Sequence, residues 1–323
     1  MDRRRFLLTS LAGALAPPLA TAAQQAGRTY RLGANVPLGR EHPAIVAFFD
    51  ELRLLGFIEN QNLTVIPGGF KIGNDQLAEH APALVKAAPD VILSGPDNYT
   101  RVMQQTTRTI PLIAMTEDMV AAGFVTSLAR PGGNTTGISL LSPELDGKRQ
   151  DILIEAVPSL RKMAALTDST VTPRRHLRAL QDAARSRGVE LAVFGVAKRE
   201  EVLPAIEAAK AAGAEALNLL ATPLFVVNSR IFIDRIAALR LPAMHQWPEL
   251  AEDGGLMGYG PRFTQTLRQL ARLVVRVLRG GKPADIPVEQ PIHFELAINL
   301  KTAKALGLTI PPSLLARADQ IIE

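Results

Sequence analysis

Three side chains that can bind a small molecule follow one another at His245, Gln246 and Trp247, and Trp247 is the only tryptophan in the sequence. The imidazole and the amide can form hydrogen bonds, while the indole has a flat apolar face and one N–H donor. A short apolar run precedes these residues, so we expect them to lie at the end of a strand. The alternative is that Trp247 packs in a core or at a hinge, as a single tryptophan often does.

Polar residues after other predicted strands extend this set. A cleft for an amino acid needs hydrogen-bond donors for the carboxylate and an acid for the ammonium group. Hydroxyls and backbone N–H groups at 95–100 and at Ser169 and Thr170 can supply donors, and Glu117, Asp118 or Asp168 can supply the acid. Several of these residues are also ordinary helix caps or turn formers, which is the alternative interpretation. The predicted ligand-binding residues are Leu38, Ser94, Asp97, Asn98, Thr116, Glu117, Asp168, Ser169, Thr222, His245, Gln246, Trp247 and Tyr259.

Residue patterns typical of catalysis or metal binding are missing from the sequence. It has no cysteine, its five histidines form no H-x-x-x-H pair, and no glycine-rich nucleotide loop follows a predicted strand. We therefore expect no catalytic residue, no metal and no cofactor. The formal net charge is +5, and the basic residues are interspersed with acidic ones along the chain. Aromatic residues make up only 5% of the sequence. Nucleic-acid binding would favour a basic stripe with stacking aromatics, so we expect no nucleic-acid partner.

The elements that must position these residues follow from hydrophobic periodicity. Short apolar runs alternate with longer segments whose apolar residues recur every three or four positions, which predicts βαβ units and parallel sheets covered by helices. The predicted strands are 30–36, 62–66, 90–95, 110–115, 162–167, 190–196, 216–221 and 241–246, and the predicted helices are 42–55, 77–87, 98–108, 176–187, 202–212 and 231–239. Two such series of similar length predict two doubly wound lobes, with the carboxyl ends of their strands facing a shared cleft.

An export signal is predicted at residues 1–22. This segment has a basic start, a short apolar middle and small residues at its end. Residues 3–7, RRRFL, match the twin-arginine pattern, and residues 20–22, ATA, offer a cleavage site; ordinary secretion is the alternative. The apolar run is too short to span a bilayer, and without cysteine there is no lipid-anchored residue after the signal. We therefore expect a soluble periplasmic protein.

Five longer motifs carry a resemblance to a known family. They are LARPGGNTTGISLL at 128–141, SPELDGKR at 142–149, GGLMGYGP at 254–261, GGKPADIPVEQP at 280–291 and INLKTAKALGLTIPPSLLARAD at 298–319. Together they resemble the substrate-binding proteins of ABC transporters, in the branch that includes tryptophan-binding members. The resemblance runs from about residue 28 to the C-terminus.

This resemblance implies a type I periplasmic binding protein, with two Rossmann-like lobes joined by three crossing strands and a ligand enclosed by hinge closure. The implied N-terminal lobe is 23–141 plus 260–286, and the implied C-terminal lobe is 142–259 plus 287–323. The implied partners are a small-molecule ligand and an inner-membrane ABC permease, and we expect a monomer. A periplasmic sensor that passes its ligand signal to a membrane receptor is the alternative function.

The expected ligand-facing positions depart from the pattern common in the family. Thr116-Glu117 stands where many relatives have a small residue and Asp, and His245-Gln246-Trp247 replaces a frequent Tyr-Gly-Phe. The resemblance therefore does not transfer a ligand. From the donors and acids described above, we expect an amino acid with an aromatic or branched side chain, or a related carboxylate.

Overall fold

The computed structural model describes residues 28–140, 142–169, 172–226 and 229–323, with the backbone alone for 142–144 and 223. The predicted export signal lies outside these residues. Strands and helices alternate along most of the chain. The strands are β1 Tyr30–Asn35, β2 Leu63–Val65, β3 Val91–Ser94, β4 Leu112–Thr116, β5 Thr135–Ser139, β6 Lys162–Asp168, β7 Glu190–Val196, β8 Ala216–Leu219, β9 Ala243–His245, β10 Met257–Gly260, β11 Glu295–Asn299 and β12 Gln320–Ile322.

The helices cover both sheets formed by these strands. They are α1 Pro43–Leu54, α2 Leu77–Lys86, α3 Asp97–Thr106, α4 Ser142–Ala156, α5 Arg174–Ser186, α6 Val202–Ala211, α7 Ser229–Ala238, α8 Glu249–Glu252, α9 Phe263–Leu278, α10 Leu300–Leu306 and α11 Pro312–Leu315. In α1, the Nδ1 atom of His42 accepts a hydrogen bond from the backbone N–H of Ala44 and so caps the first turn. Gly56, with a positive φ of 90°, follows the end of this helix.

Two sheets form the framework. The first is parallel throughout, with strand order β2-β1-β3-β4-β5. The second has the order β12-β11-β10-β9-β8-β6-β7, and only the β10–β11 pair is antiparallel. The prediction of an α/β protein with two sheets is confirmed. Each predicted strand and helix is present with its ends within two residues of the expected positions. Hereafter we call the first sheet with its helices lobe 1 and the second lobe 2.

Helix α9 packs on lobe 1 although it follows a strand of lobe 2. Its apolar face, which includes Phe263, Leu267 and Leu270, joins the core of the first sheet and contacts α1. These residues recur every three or four positions, as expected for a helix with one buried face. The chain therefore crosses back to lobe 1 after β10, and α9 supplies one wall of the space between the lobes.

The segment 286–289 runs beside β5 at the edge of the first sheet. The N–H of Ser139 donates to the carbonyl of Glu289 at 2.9 Å, and the N–H of Glu289 donates to Gly137 at 2.9 Å. Gly137 has a φ of 150°, and a Cβ there would lie 1.8 Å from the carbonyl oxygen of Ala114. Glycine is thus required for this close approach. The hydrophobic pattern missed β5, because the short sequence TTGIS has little apolar alternation.

Within the ranges that the structure describes, no helix is long and apolar enough to cross a membrane.

Candidate functional site

A narrow cavity lies between the two lobes. The cavity has a volume of about 640 Å³, including the solvent-open space at its mouth. Its lining is mostly apolar, as is usual for small-molecule sites. The lining residues are Val36, Pro37, Leu38, Ile45, Leu93, Ser94, Gly95, Pro96, Met115, Thr116, Glu117, Leu140, Val226, Gln246, Trp247, Phe263, Leu267 and Leu270.

Lobe 1 contributes most of this lining. The carboxyl ends of β3 and β4 supply Ser94 and Thr116, while α1 and α9 supply an apolar wall. Lobe 2 contributes Val226, Gln246 and Trp247. The cavity thus has a polar part at the strand ends and an apolar part against α9. Ligands bind at this position, outside the carboxyl ends of the strands, in open α/β sheets generally.

Trp247 joins the two lobes through apolar packing. Its side chain is 3% exposed and belongs to the same buried cluster as the core of lobe 1. The indole lies against Phe263 of α9, with ring centroids 4.7 Å apart and planes tilted by 40°. Its Nε1 is buried without a hydrogen-bond partner among the described residues. Trp247 therefore packs between the lobes and also lines the cavity.

Two glycines of β10 allow the backbone of Gln246 and Trp247 to lie close to that strand. A Cβ at Gly258 would be 2.2 Å from the carbonyl oxygen of Trp247, and one at Gly260 would be 2.2 Å from that of Gln246. Both distances are far below any contact that a Cβ makes. The two glycines of the MGYG sequence in β10 therefore help to place the lobe 2 side of the cavity.

A buried ion pair supports the same part of lobe 2. Arg149 is 0% exposed, and its Nη1 donates to Asp146 at 3.0 Å. Its Nε donates to the carbonyl of Tyr259 at 2.7 Å, and its Nη2 to that of Gln246 at 3.4 Å. Burial lowers the pKa of Arg149, whereas the nearby charges of Asp146 and Glu117 act in the opposite direction. This guanidinium fixes the ends of β9 and β10 relative to α4.

The polar part of the cavity contains a hydroxyl and a carboxylate that adjoin in the chain. The Oγ1 of Thr116 is buried and has no hydrogen-bond partner among the described residues. The backbone N–H of Glu117 donates to Asp97 at 3.1 Å. Burial raises the pKa of Asp97, and this hydrogen bond opposes the change. Asp97 thus holds the backbone beside the cavity, while Thr116 and Glu117 line it.

Six of the sequence-predicted residues line the cavity: Leu38, Ser94, Thr116, Glu117, Gln246 and Trp247. The other seven lie outside the lining. Asp168 accepts a hydrogen bond from Thr222 at 3.0 Å, and Ser169 donates to the carbonyl of Val196 at 3.1 Å. Asn98 is exposed and donates to Asn74 at 2.9 Å. These residues form local contacts within their own lobes.

His245 and Tyr259 also lie behind the cavity lining. His245 is 3% exposed, and its Nε2 has no partner among the described residues. Burial lowers its pKa to about 4. Tyr259 presents its backbone carbonyl to Arg149, and its side chain packs against the lobe 2 core. Both residues support the strand ends rather than line the cavity.

Several lining residues were not predicted from the sequence. The structure adds the α1 residue Ile45, the β4 residue Met115 and the α9 residues Phe263, Leu267 and Leu270. Their apolar periodicity was visible, but it predicts only that they are buried. Arg149 was also missed as a support residue. Its position in the SPELDGKR motif gave no chemical signal, because an arginine on a helix is usually solvated.

Charged groups of the two lobes approach each other at one edge. His42, at the start of α1, lies near Asp253, which follows α8. Burial lowers the pKa of His42, and the charges of Asp253 and Glu41 oppose this effect. The ring of His42 meets Phe263 edge to face, with centroids 5.7 Å apart. His42 is partly buried.

No group of three His, Asp or Glu side chains that could hold a metal ion occurs in the part of the chain that the structure describes. The cavity offers hydrogen-bonding groups from Ser94, Thr116, Glu117 and Gln246, and an apolar surface from both lobes. This arrangement can enclose a small molecule that has a polar end and an apolar body.

Both a family model and a protein of known binding activity match most of this chain. A family model described as ABC transporter substrate binding protein matches residues 54–322. A tyrosine-binding protein from Clostridioides difficile (strain R20291) is 25% identical over 276 residues, which is 83% of this chain and 79% of that protein.

Solved structures share the fold. A conserved domain protein from Vibrio cholerae has a TM-score of 0.80 at 24% identity, and covers 91% of this chain and 100% of its own. An ABC domain in complex with L-Trp from Streptococcus pneumoniae has a TM-score of 0.79 at 22% identity, with the same coverage. A ligand-free, open substrate-binding protein with adhesive properties from Clostridium difficile has a TM-score of 0.60 at 21% identity, covering 91% and 99%. The predicted two-lobe fold is thereby confirmed.

Proposed function

Because the chain belongs to the ABC transporter substrate-binding protein family, we propose that it is the periplasmic solute-binding component of an ABC uptake transporter. Its ligand is an amino acid with an aromatic or branched side chain, or a related carboxylate. The observation that carries this proposal is the cavity between the lobes, with its apolar wall and its few polar groups. A ligand of this class has the same division between a polar end and an apolar body.

In this proposal, Leu38, Ser94, Thr116, Glu117, Gln246 and Trp247 contact the ligand. The apolar side chain of the ligand lies against Phe263 and its neighbours on α9. The polar end of the ligand lies at the carboxyl ends of β3 and β4. Asp97, Asn98, Asp168, Ser169, Thr222, His245 and Tyr259 belong to the surrounding shell that holds these elements.

Binding involves no covalent step, because the ligand acts by shifting a conformational equilibrium. A ligand between the lobes contacts both of them only when they approach each other. Its higher affinity for the closed form then favours closure. The closed protein delivers the ligand to the permease in the inner membrane. The export signal predicted at residues 1–22 accounts for the periplasmic location, and the protein acts as a monomer.

Thermal unfolding of the mature protein against a panel of compounds tests the ligand class. The protein is unfolded and refolded first to remove any ligand carried through purification. L-tryptophan, L-tyrosine, L-leucine and L-valine form one group, and nucleosides and sugars form the control group. We expect a saturable increase in the melting temperature with at least one amino acid, because a ligand that binds only the folded state stabilises it.

Intrinsic fluorescence adds a second readout, because Trp247 is the only tryptophan and lines the cavity. We expect the compound that raises the melting temperature to change the emission of Trp247 with the same concentration dependence. An increase in melting temperature with nucleosides or sugars alone would contradict the proposed ligand class. So would the absence of an increase with every compound on the panel.

A further inference from the structure

Two buried polar atoms in the cavity lack a hydrogen-bond partner among the described residues, and they come from different lobes. They are the Oγ1 of Thr116 in lobe 1 and the Nε1 of Trp247 in lobe 2. The residues are only 1% and 3% exposed. The indole N–H can only donate a hydrogen bond, and the threonine hydroxyl can also donate one. Both atoms can therefore be satisfied by the same kind of group, a hydrogen-bond acceptor.

Among the other buried threonines of the described residues, only Thr167 has a hydroxyl without a hydrogen-bond partner. The hydroxyl of Thr136 donates to the carbonyl of Ile286 at 2.7 Å, and that of Thr222 donates to Asp168 at 3.0 Å. Buried polar groups are normally hydrogen-bonded, because an unpaired one loses its contacts with water without replacement. Two unpaired groups in one cavity, on facing lobes, indicate a position where a ligand supplies the missing partner.

We propose that the carboxylate of an amino acid ligand accepts hydrogen bonds from Thr116 Oγ1 and Trp247 Nε1, and so bridges the two lobes. This inference rests on the proposed function and names the residues that recognise the ligand. Trp247 then acts as a hydrogen-bond donor to the cargo as well as a packing residue. Glu117 adjoins Thr116 in the chain and also lines the cavity, which places a carboxylate near the α-ammonium group of the same ligand.

A bridging carboxylate also couples recognition to closure. One donor belongs to each lobe, so a single ligand group satisfies both only when the lobes are together. A ligand without this acceptor leaves both donors buried and unpaired in the closed form. The preference for the closed form, and hence the affinity, therefore depends on the carboxylate.

The test uses two variants and one matched control. Thr116→Val keeps the shape of the side chain and removes the hydroxyl, and Trp247→Phe removes the N–H while keeping an aromatic ring. Thr167→Val is the control, because Thr167 also has a buried hydroxyl without a partner among the described residues but does not line the cavity. Calorimetric titration measures the dissociation constant of L-tryptophan, L-tyrosine and L-leucine, and of the matching amines tryptamine, tyramine and 3-methylbutylamine.

We expect the wild-type protein to bind its preferred amino acid more tightly than the matching amine. Each variant should weaken binding of the amino acid by about tenfold to a hundredfold, the range for a hydrogen bond to a charged group. Binding of the amine should change much less. The ratio of the amine's dissociation constant to that of the amino acid therefore falls in each variant. Thr167→Val should keep the wild-type ratio. The ligand-free Thr116→Val protein should melt at or above the wild-type temperature, because it loses an unpaired buried hydroxyl.

The outcomes separate this inference from the proposed function. If the wild type binds an amino acid, but its amine binds equally well or both variants keep the wild-type ratio, the carboxylate assignment is overturned and the proposed function stands. If the wild type binds none of the amino acids, the proposed amino-acid ligand and this inference are both overturned. If Trp247→Phe does not fold, the comparison of Thr116→Val with the wild type and with Thr167→Val is sufficient to test the inference.

Discussion

His245 is a titratable side chain that the fold holds in its neutral form. It ends β9, it is 3% exposed, and its Nε2 has no partner among the described residues. Burial penalises the charged imidazolium and lowers the pKa from 6.5 to about 4. The unfolded chain therefore binds a proton at a higher pH than the folded chain. His245 contributes stability above pH 6.5, and this contribution is lost as the pH falls toward 4.

We expect this residue to shape the acid side of the stability profile. A pKa lowered from 6.5 to about 4 corresponds to about 3 kcal/mol of unfolding free energy, lost between neutral pH and pH 4. His245→Asn should show a smaller decrease over this interval. The free energy is measured by urea denaturation at several pH values, and the same substitution at the exposed His293 controls for the loss of one imidazole. Equal pH dependence in wild type and His245→Asn would contradict the assignment.

Helix α4 holds the ends of two lobe 2 strands through one buried residue. Arg149 donates hydrogen bonds to the carbonyls of Tyr259 and Gln246 and pairs with Asp146 of the same helix. Asp146 also accepts a hydrogen bond from the N–H of Ala221 at 3.1 Å. Removing the guanidinium would leave a buried carboxylate and two carbonyls without these donors. Such losses are large because the remaining groups cannot reach water.

Replacing Arg149 should therefore cost much more stability than replacing an exposed arginine. We expect Arg149→Met to lower the free energy of unfolding by about 3–5 kcal/mol, as measured by urea denaturation. Arg187→Met is the control. Arg187 forms an ion pair at 3.5 Å with Asp151 of α4, and both side chains are 50% exposed. That change should cost less than about 1 kcal/mol. A similar loss in both variants would show that Arg149 has no special structural role.

The sequence predicts elements better than it predicts the walls of the site. Strand ends are visible from apolar runs, which is why Thr116 and Gln246 were placed correctly next to the cavity. Phe263 could not be placed in the same way, because its contact with Trp247 depends on the chain crossing back to lobe 1. Asp168 was expected in the cleft, but its hydrogen bond with Thr222 keeps it outside the lining. Tertiary contacts of this kind leave no local periodic signal.

At the scale of the whole molecule, titratable groups of the two lobes lie close enough to influence each other's pKa. His42 of lobe 1 lies near Asp253 of lobe 2. Burial lowers the pKa of His42, and burial together with Glu252 raises the pKa of Asp253, while Arg230 and His42 oppose the latter change. If the lobes separate on ligand release, as proposed above, we expect His42 to regain water and its pKa to return toward its ordinary value. Protonation of His42 therefore favours the open form.

Ligand affinity should consequently decrease as the pH falls from 7.5 to 5.5. The closed form binds the proton on His42 less readily than the open form, so the loss begins near the ordinary pKa of 6.5 and cannot exceed about tenfold per pH unit for one proton. His42→Ser keeps a side chain that can cap α1 and should remove this pH dependence. Titration of the ligand that raises the melting temperature, at several pH values, gives the measurement. Burial raises the pKa of Asp253, so protonation of its carboxyl would favour the closed form and oppose the effect of His42. An unchanged pH dependence in His42→Ser would show that the protonation of His42 does not control closure.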